Sequence, residues 1–267
     1  MRGFGVVETV ERKTLKLDGC TVSYLRGGSG TPLLFLHGAN NVPGWLPFLA
    51  RLAERHDVIV PDHPGFGASE IPSWLDNIHD LAYFYLDFIE ELGLKEIHLI
   101  GGSLGGWLAC EIAIRQTAPL RTLTLVGAAG IRLAGVRKRD IFLMSPEALT
   151  RALFFDQKLA DEMLAQPVTE ATTEAQLKNR YSVARVAWQP RLFDPHLAKW
   201  LHRIDVPTLL VWGDSDRLVP PAYAAEFARL IPDTRTAIIA QCGHLPQVEK
   251  PDEFLAAVTR FIEQKGA

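Results

Sequence analysis

The sequence predicts an α/β fold with a mostly parallel sheet flanked by helices, and three observations support this prediction. Short apolar runs alternate with longer segments of helical periodicity, which is the pattern of strands joined by crossover helices. A glycine-flanked turn directly follows one of these runs and leads into a helix-like stretch. The chain of 267 residues also has the length at which an α/β fold often forms a single unit.

Eight runs are predicted to be strands. Residues 14–17 and 21–25 are expected to form an antiparallel edge pair that turns at Asp18-Gly19. The remaining apolar runs are typical of buried parallel strands, and they are residues 33–36, 58–60, 97–100, 123–126, 208–212 and 237–239.

Two helices are predicted from apolar residues that recur every three or four positions. One face of the first helix consists of Leu81, Phe84, Tyr85, Phe88 and Leu92. The second helix begins at Pro251, a residue that is favourable in a first turn. Its apolar face consists of Phe254, Leu255, Val258, Phe261 and Ile262.

Residues 131–204 interrupt this alternation, because they contain helical stretches rich in large apolar residues and no obvious strand. We interpret this segment as a helical cap inserted over the end of the sheet. The chain is then divided into a first core part (1–130), the cap (131–204) and a second core part (205–267). The alternative is a helical extension that only packs against the edge of the core.

Composition and charge argue against several classes of protein. The net charge of −3 gives no electrostatic reason to bind nucleic acid or an anionic membrane. There is no apolar run of about 18 residues and no N-terminal stretch like a signal peptide, so we expect a cytoplasmic protein without a membrane partner. Three widely spaced cysteines indicate a reducing compartment. The basic run 137–139 is interpreted as a solvated face.

The turn 101–106, Gly-Gly-Ser-Leu-Gly-Gly, is the most informative segment. Gly101 and Gly105 allow a turn so tight that Ser103 must adopt a strained backbone conformation between strand and helix. The turn exposes the Ser103 hydroxyl and leaves the Leu104 backbone N–H at a helix N-terminus, where developing negative charge is favoured. An N-cap serine, the alternative interpretation, would not need the flanking glycines.

A serine hydroxyl becomes a nucleophile only beside a base that is oriented by an acid. His244 is the only histidine after the run 208–212. Asp214 and Asp216 both follow the same run, so either could supply the acid. Because the loops at the carboxyl ends of parallel strands converge, Ser103, one aspartate and His244 can meet.

Five motifs together resemble serine-dependent α/β-hydrolases that carry a cap. They are His37-Gly38, Asp62-His63-Pro64-Gly65-Phe66-Gly67-Ala68-Ser69, the turn 101–106, Gly213-x-x-Asp216-x-x-x-Pro220 and Gly243-His244-Leu245-Pro246. They follow one another in the family's order and cover roughly residues 20–130 and 205–265. The resemblance implies the α/β-hydrolase fold, with a mostly parallel eight-stranded sheet flanked by helices and an inserted helical cap.

The resemblance also implies roles for individual residues. Ser103 would be the nucleophile, His244 the base, and Asp216, rather than Asp214, the acid. The backbone N–H groups of Ala39 and Leu104 would form the oxyanion hole.

Further residues are assigned outside this triad. His37 is expected to be a structural hydrogen-bonding residue. Asn40, Phe66 and Trp188 are candidate substrate contacts, although asparagines, Asn41 included, also form turns and cap aromatics also serve in packing.

The residues predict hydrolysis of a small, largely apolar carboxylic ester through an acyl-enzyme. Ser103 excludes the dehalogenases and epoxide hydrolases of this fold, since those enzymes use Asp at the elbow. The alternatives are a carbon–carbon hydrolase of ring-cleavage dienoates, a lactonase or perhydrolase, and a small-molecule receptor that keeps the triad. The carbon–carbon hydrolases usually have glycines after the oxyanion His-Gly and Trp after the catalytic histidine, where this chain has Ala39-Asn40-Asn41 and Leu245.

No metal-ligand spacing and no phosphate-binding loop is found. We therefore expect no metal and no cofactor, and a small ester- or ketone-bearing molecule as the partner.

Overall fold

The computed structural model describes residues 10–40 and 42–265. The prediction about the N-terminus depends largely on residues 1–9, which lie outside the described residues, as does Asn41.

All eight predicted strands are present and form one sheet. They are β1 (Arg12–Leu17), β2 (Cys20–Gly27), β3 (Thr31–Leu36), β4 (His56–Pro61), β5 (Ile97–Gly102), β6 (Leu120–Val126), β7 (Thr208–Gly213) and β8 (Thr234–Ile239). The order across the sheet is β1-β2-β4-β3-β5-β6-β7-β8. β1 and β2 are antiparallel, β2 is antiparallel to β4, and the remaining pairs are parallel.

The edge hairpin turns where the sequence predicts it. Asp18 and Gly19 have φ angles of 50° and 70°, the left-handed conformation that a two-residue hairpin loop favours.

Deeper in the sheet the strand order reverses at β3, which lies between β4 and β5. At such a switch point the loops leave the strand ends in opposite directions and open a crevice at the carboxyl edge.

Helices cover both faces of the sheet. They are α1 (Pro47–Ala53), α2 (Ile78–Glu91), α3 (Leu104–Arg115), α4 (Pro146–Leu153), α5 (Gln157–Leu164), α6 (Glu170–Ala187), α7 (Ala222–Leu230), α8 (Pro246–Glu249) and α9 (Pro251–Lys265). One apolar core lies under α1 and α9, and the other lies under α2, α3 and α7 and extends to the cap. None of the described helices has the length and apolar composition needed to cross a membrane.

The two helices predicted from periodicity correspond to α2 and α9, whereas α1, α7 and α8 have no counterpart in the sequence analysis. These three are only seven, nine and four residues long, which is too short for a clear apolar repeat. The helix after the elbow begins at Leu104, directly after the strained turn, which agrees with the expectation that the Leu104 N–H lies at a helix N-terminus.

Residues 127–207 connect β6 to β7 and contain α4, α5 and α6 but no strand of the sheet. The two ends of this segment meet in an isolated parallel bridge between Gly130 and Phe193. Leu197, Leu201 and Ile204 are fully buried in the core on the α3 side, so the last turns of the segment pack against the core. The boundaries of the cap at 131 and 204 remain a prediction.

Candidate active site

Ser103 lies between the end of β5 and the start of α3 in a strained conformation, with φ 53° and ψ −112°. Its N–H donates to the Val126 carbonyl at 2.8 Å, and its own carbonyl accepts from Gly106, Trp107 and Ala129 at 3.0–3.1 Å. A non-glycine residue in this region persists only where surrounding contacts hold it. These four hydrogen bonds tie the serine to β6 and to the first turn of α3.

The glycines around Ser103 are required by the close approach of α3 to the sheet. A Cβ atom on Gly105 would lie 2.1 Å from the Leu36 carbonyl oxygen, and one on Gly101 would lie 2.3 Å from the Gly105 carbonyl oxygen. A Cβ atom on Gly102, by contrast, would meet nothing within 4 Å. The predicted reason for Gly101 and Gly105 is therefore confirmed.

His244 and Asp216 form a buried pair, with Nδ1 of the imidazole 2.7 Å from Oδ2 of the carboxylate. The second carboxylate oxygen accepts the N–H groups of Leu218 and Val219 at 2.8 and 2.9 Å. Both oxygens of Asp216 are thus engaged, which fixes the carboxylate that orients the imidazole. Gly127 packs against the pair, since a Cβ there would lie 3.0 Å from Nδ1 of His244.

Asp214, the other acid that the sequence leaves open, has different partners. Its Oδ1 accepts the Ser215 hydroxyl at 2.7 Å and the Cys242 N–H at 3.4 Å. These contacts join the loop after β7 to the loop after β8. Asp214 therefore stabilises the turn, and the carboxylate beside His244 is that of Asp216.

The cap holds the loop that carries the histidine. The His244 N–H donates to the Leu153 carbonyl at the end of α4, at 2.7 Å. Glu249 accepts the Gly243 N–H with one oxygen and the Asp156 N–H, just before α5, with the other, both at 2.6 Å. The position of the imidazole therefore depends on the cap as well as on the sheet.

His37 and His63 are fixed as neutral rings behind the loop after β3. His37 Nδ1–H donates to the Gly38 carbonyl at 2.7 Å, and its Nε2 accepts the His63 N–H at 3.1 Å. His63 Nε2–H donates to the His37 carbonyl, and its Nδ1 accepts the Tyr85 hydroxyl, so the partners assign both tautomers. Burial lowers the pKa of both rings, well below the ordinary value for His63. The expectation of a structural role for His37 agrees with these contacts.

The two N–H groups expected to form the oxyanion hole have no competing partner in the described part of the chain. Neither the Ala39 N–H nor the Leu104 N–H donates a hydrogen bond to another described residue. Leu104 is the first residue of α3, where backbone N–H groups point out of the helix and favour negative charge. Ala39 lies in the loop that begins at His37, and a Cβ atom on the preceding Gly38 would lie 3.3 Å from Cβ of Ser103.

A cavity of about 190 Å³ lies beside the residues described above. Ser103, His244, Ala39 and Asn40 all line it. Its wall is mainly apolar and combines core residues with cap residues, including Phe35, Val42, Phe48, Val126, Ile141, Leu149, Leu153, Met163, Leu218, Leu245 and Val248.

Two predicted substrate contacts lie elsewhere. Phe66 is fully buried in the core, with its ring against His37 and His63 at centroid distances of 5.5 and 5.6 Å. Trp188 is 45% exposed on the cap and packs against Phe142. Neither is among the described residues that line the cavity. Phe66 therefore supports the histidine pair from behind, and Trp188 belongs to the outer surface of the cap.

Gln247 is a cavity residue that the sequence analysis missed. It is about nine-tenths buried, and its amide oxygen has no hydrogen-bond partner among the described residues. It also lines a wider pocket of about 630 Å³, so that it forms part of the wall between the two spaces. Its position three residues after His244 is the only signal that could have indicated it.

One group of metal-ligating residue types also comes together in the described part of the chain. Ligand atoms of His79, Glu111 and Asp194 lie within 4.8 Å of one another. Arg115 donates to Glu111 at 2.6 Å and lies 2.9 Å from His79, so a guanidinium already pairs with one of the two acids. Sequence spacing could not predict this cluster, because its members come from α2, α3 and the end of the cap.

Comparisons with known proteins identify the family to which this fold belongs. The family model of the alpha/beta hydrolase fold matches residues 31–251. The 2-hydroxy-6-oxo-6-(2'-aminophenyl)hexa-2,4-dienoic acid hydrolase of Metapseudomonas resinovorans is 30% identical over 265 residues, covering 93% of this chain and 89% of that protein. Lipase 1 of Psychrobacter immobilis is 28% identical, covering 91% of this chain and 81% of the lipase.

A solved structure shows the same architecture. The crystal structure of a membrane phospholipase A, described as a bacterial virulence factor, superimposes with a TM-score of 0.74 and 29% identity, covering 96% of this chain and 86% of that chain. The relatives and this neighbour are hydrolases, and the matched region includes both strand-end loops that carry Ser103 and His244. The chain is a hydrolase and belongs to the α/β-hydrolase family.

Proposed function

We propose that the protein hydrolyses a small, neutral carboxylic ester through an acyl-enzyme. The observation that carries this proposal is the buried 2.7 Å hydrogen bond between His244 Nδ1 and Asp216 Oδ2, with His244 and Ser103 on one cavity. Because Nδ1 is engaged by the carboxylate, Nε2 is the nitrogen left to accept the proton of Ser103.

The proposed reaction has two stages. Ser103 Oγ attacks the ester carbonyl while His244 Nε2 takes its proton, and the negative oxygen is held by the N–H groups of Ala39 and Leu104. Each such donor contributes on the order of 3 kcal/mol to transition-state stabilisation. His244 returns the proton to the leaving alcohol, and water, deprotonated by the same imidazole, then releases the acid and frees the Ser103 hydroxyl.

The chemistry of the cavity wall favours a neutral substrate. No lysine or arginine is found among the described residues that line the cavity. A carboxylate taken into this space would lose its hydration without gaining a cation, which is costly. The dienoic acids named for the relative from Metapseudomonas resinovorans carry such a carboxylate, so the wall fits an ester better.

A carbon–carbon hydrolase remains the second candidate, because that relative is 30% identical over 93% of this chain. The same serine, histidine and oxyanion donors could serve a vinylogous 1,5-diketone. The presence of Leu245 and Asn40, where enzymes of that class usually have Trp and Gly, speaks against it.

Purified protein and its Ser103→Ala variant test the proposal with a panel of p-nitrophenyl esters of increasing acyl length. We expect the wild type to prefer short acyl chains and Ser103→Ala to lower turnover at least about a thousandfold with unchanged melting temperature. Equal turnover in both proteins would falsify the role of Ser103. A ring-cleavage dienoate in the same panel separates the two candidates, and faster loss of its absorbance than ester cleavage would favour the carbon–carbon hydrolase.

A further inference from the structure

Cationic side chains from both ends of the cap meet in one pocket of about 280 Å³, called here the basic pocket. Arg132, Arg137, Lys138 and Arg139 come from the outgoing end, and Arg191 comes from the returning end. Val136, Asp140, Leu192, Phe193 and Tyr223 complete the wall. Five basic residues thus share a concave surface with one acid in a chain whose net charge is −3.

Most of this positive charge is not neutralised. Asp140 is already paired with Arg191. Arg132, Arg137 and Arg139 form no salt bridge with any described residue. The Arg132 guanidinium lies 5.7 Å from the centre of the Phe193 ring, a contact that joins it to the returning end.

Lys138 is a partly buried cation in the wall of the pocket. Its ammonium donates to the carbonyls of Ile131 and Leu192 at 3.1 and 2.9 Å and so joins the two ends of the cap. Burial, together with the nearby charge of Arg132, lowers the pKa of Lys138 to about 8. Neither contact involves an acid, and Lys138 forms no salt bridge with any described residue.

We propose that the basic pocket binds a small phosphate-bearing anion across the two ends of the cap. A guanidinium group can donate two hydrogen bonds to the oxygens of one phosphate. The three arginines without a salt bridge carry more positive charge than a single carboxylate would neutralise, which favours a phosphate as the ligand. The volume is close to the lower end for small-molecule sites, about 300 Å³. A bound anion would contact residues 132–139 and Arg191 together, and it would therefore strengthen the junction already made by Gly130 and Phe193.

Thermal unfolding tests this proposal without any measurement of enzymatic activity. The wild type is melted in inorganic phosphate, in pyrophosphate, and in sodium chloride of equal ionic strength. We expect the two phosphates at saturation to raise the melting temperature by about 2 °C or more over chloride. The triple variant Arg132→Gln/Arg137→Gln/Arg139→Gln should lose this rise, which is measured against the variant's own melting temperature in chloride because removal of Arg132 also removes its contact with Phe193.

The matched control is the triple variant Arg121→Gln/Arg180→Gln/Arg260→Gln. Its three arginines lie outside the pocket and form no salt bridge with described residues. It changes the net charge equally and should keep the full rise. An equal rise in all three proteins would reveal a general salt effect and overturn the proposal, as would no rise in the wild type.

Sedimentation with phosphatidylcholine vesicles, with and without phosphatidic acid, distinguishes a soluble phosphate compound from a lipid headgroup as the ligand. Binding of pyrophosphate but not of vesicles assigns a phosphate compound in solution. Sedimentation that needs both phosphatidic acid and the three pocket arginines assigns a lipid headgroup. Vesicle binding that the pocket variant retains, together with no response to soluble phosphates, contradicts the proposal.

Discussion

At the scale of single residues, the buried polar groups near Ser103 are held by specific partners. Asp216 uses both oxygens, and His37 and His63 use both ring nitrogens. Such pairing matters because a buried polar atom without a partner costs about 1–3 kcal/mol. Gln247 departs from this pattern, since its amide oxygen is buried beside the cavity without a partner among the described residues.

We expect Gln247→Leu to raise the free energy of unfolding by about 1 kcal/mol, because an apolar side chain replaces the unpaired oxygen. It should also raise KM for esters with a hydroxyl on the acyl chain, because the Gln247 amide oxygen can accept such a hydroxyl, and leave KM for simple alkyl esters unchanged or lower. Urea denaturation and steady-state kinetics measure the two effects.

Gln166→Leu serves as the control for this substitution, since Gln166 is an exposed cap residue that is not among the described residues lining the cavity. A Gln247→Leu protein that is less stable than the wild type, with KM unchanged for both ester classes, would show that the amide oxygen neither lowers stability nor accepts a substrate hydroxyl.

At the scale of elements, the site depends on how closely α3 approaches β3 and β5. The approach leaves no space for a side chain at Gly105 and leaves open space at Gly102, three residues away. This difference between two glycines of the same turn gives a direct test of the packing.

Gly105→Ala is expected to lower the free energy of unfolding by about 2–3 kcal/mol, because its Cβ would lie 2.1 Å from the Leu36 carbonyl oxygen and the helix would have to move. Gly102→Ala should change it by no more than about 0.5 kcal/mol. Urea denaturation followed by tryptophan fluorescence measures both, and equal stability of the two variants would show that α3 does not depend on this contact.

At the scale of the whole molecule, the stability of the fold is coupled to pH through its buried histidines. Burial lowers the pKa of His37, His56, His63 and His98, the last to about 4. His79 behaves in the opposite way, because its hydrogen bond to Glu111 raises its pKa. These pKa shifts determine the pH range in which proton binding stabilises the folded or the unfolded chain.

We expect stability to fall as the pH drops from about 6.5 to 5. In this range the unfolded chain binds protons at histidines that the folded protein keeps neutral, and each fully buried ring adds a slope of up to about 1.4 kcal/mol per pH unit. His79 adds stability that is present below its ordinary pKa of about 6.5 and is lost as the pH rises through its raised folded pKa. Urea denaturation at half-unit pH steps gives the profile.

His98→Asn provides the comparison, because it removes one of the four titrating rings and retains a polar side chain for Thr122, the present partner of His98 Nδ1. Its profile should be flatter than that of the wild type between pH 6.5 and 5. If the stability of the wild type stays constant or increases as the pH drops from 6.5 to 5, these rings take up protons in the folded state.

Much of the fold could be predicted from local patterns. Apolar runs identified all eight strands, and three- and four-residue repeats identified α2 and α9. The helices α1, α7 and α8 were missed because they are short. Phe66 and Trp188 were predicted at the substrate because a pattern reports that a residue is apolar but not which space it faces.

By itself the sequence determined the order of the strands along the chain, the need for glycine around Ser103, and the family motifs. These features depend on neighbours a few positions apart, whose chemistry the sequence states directly. The family resemblance already assigned Asp216, rather than Asp214, as the acid, and in the structure Asp216 contacts His244. Only the tertiary structure decided that Gln247 faces the cavity and that Arg191 joins Arg132 in the basic pocket. Such contacts join residues that are distant in the chain, and the packing of sheet, loops and cap brings them together.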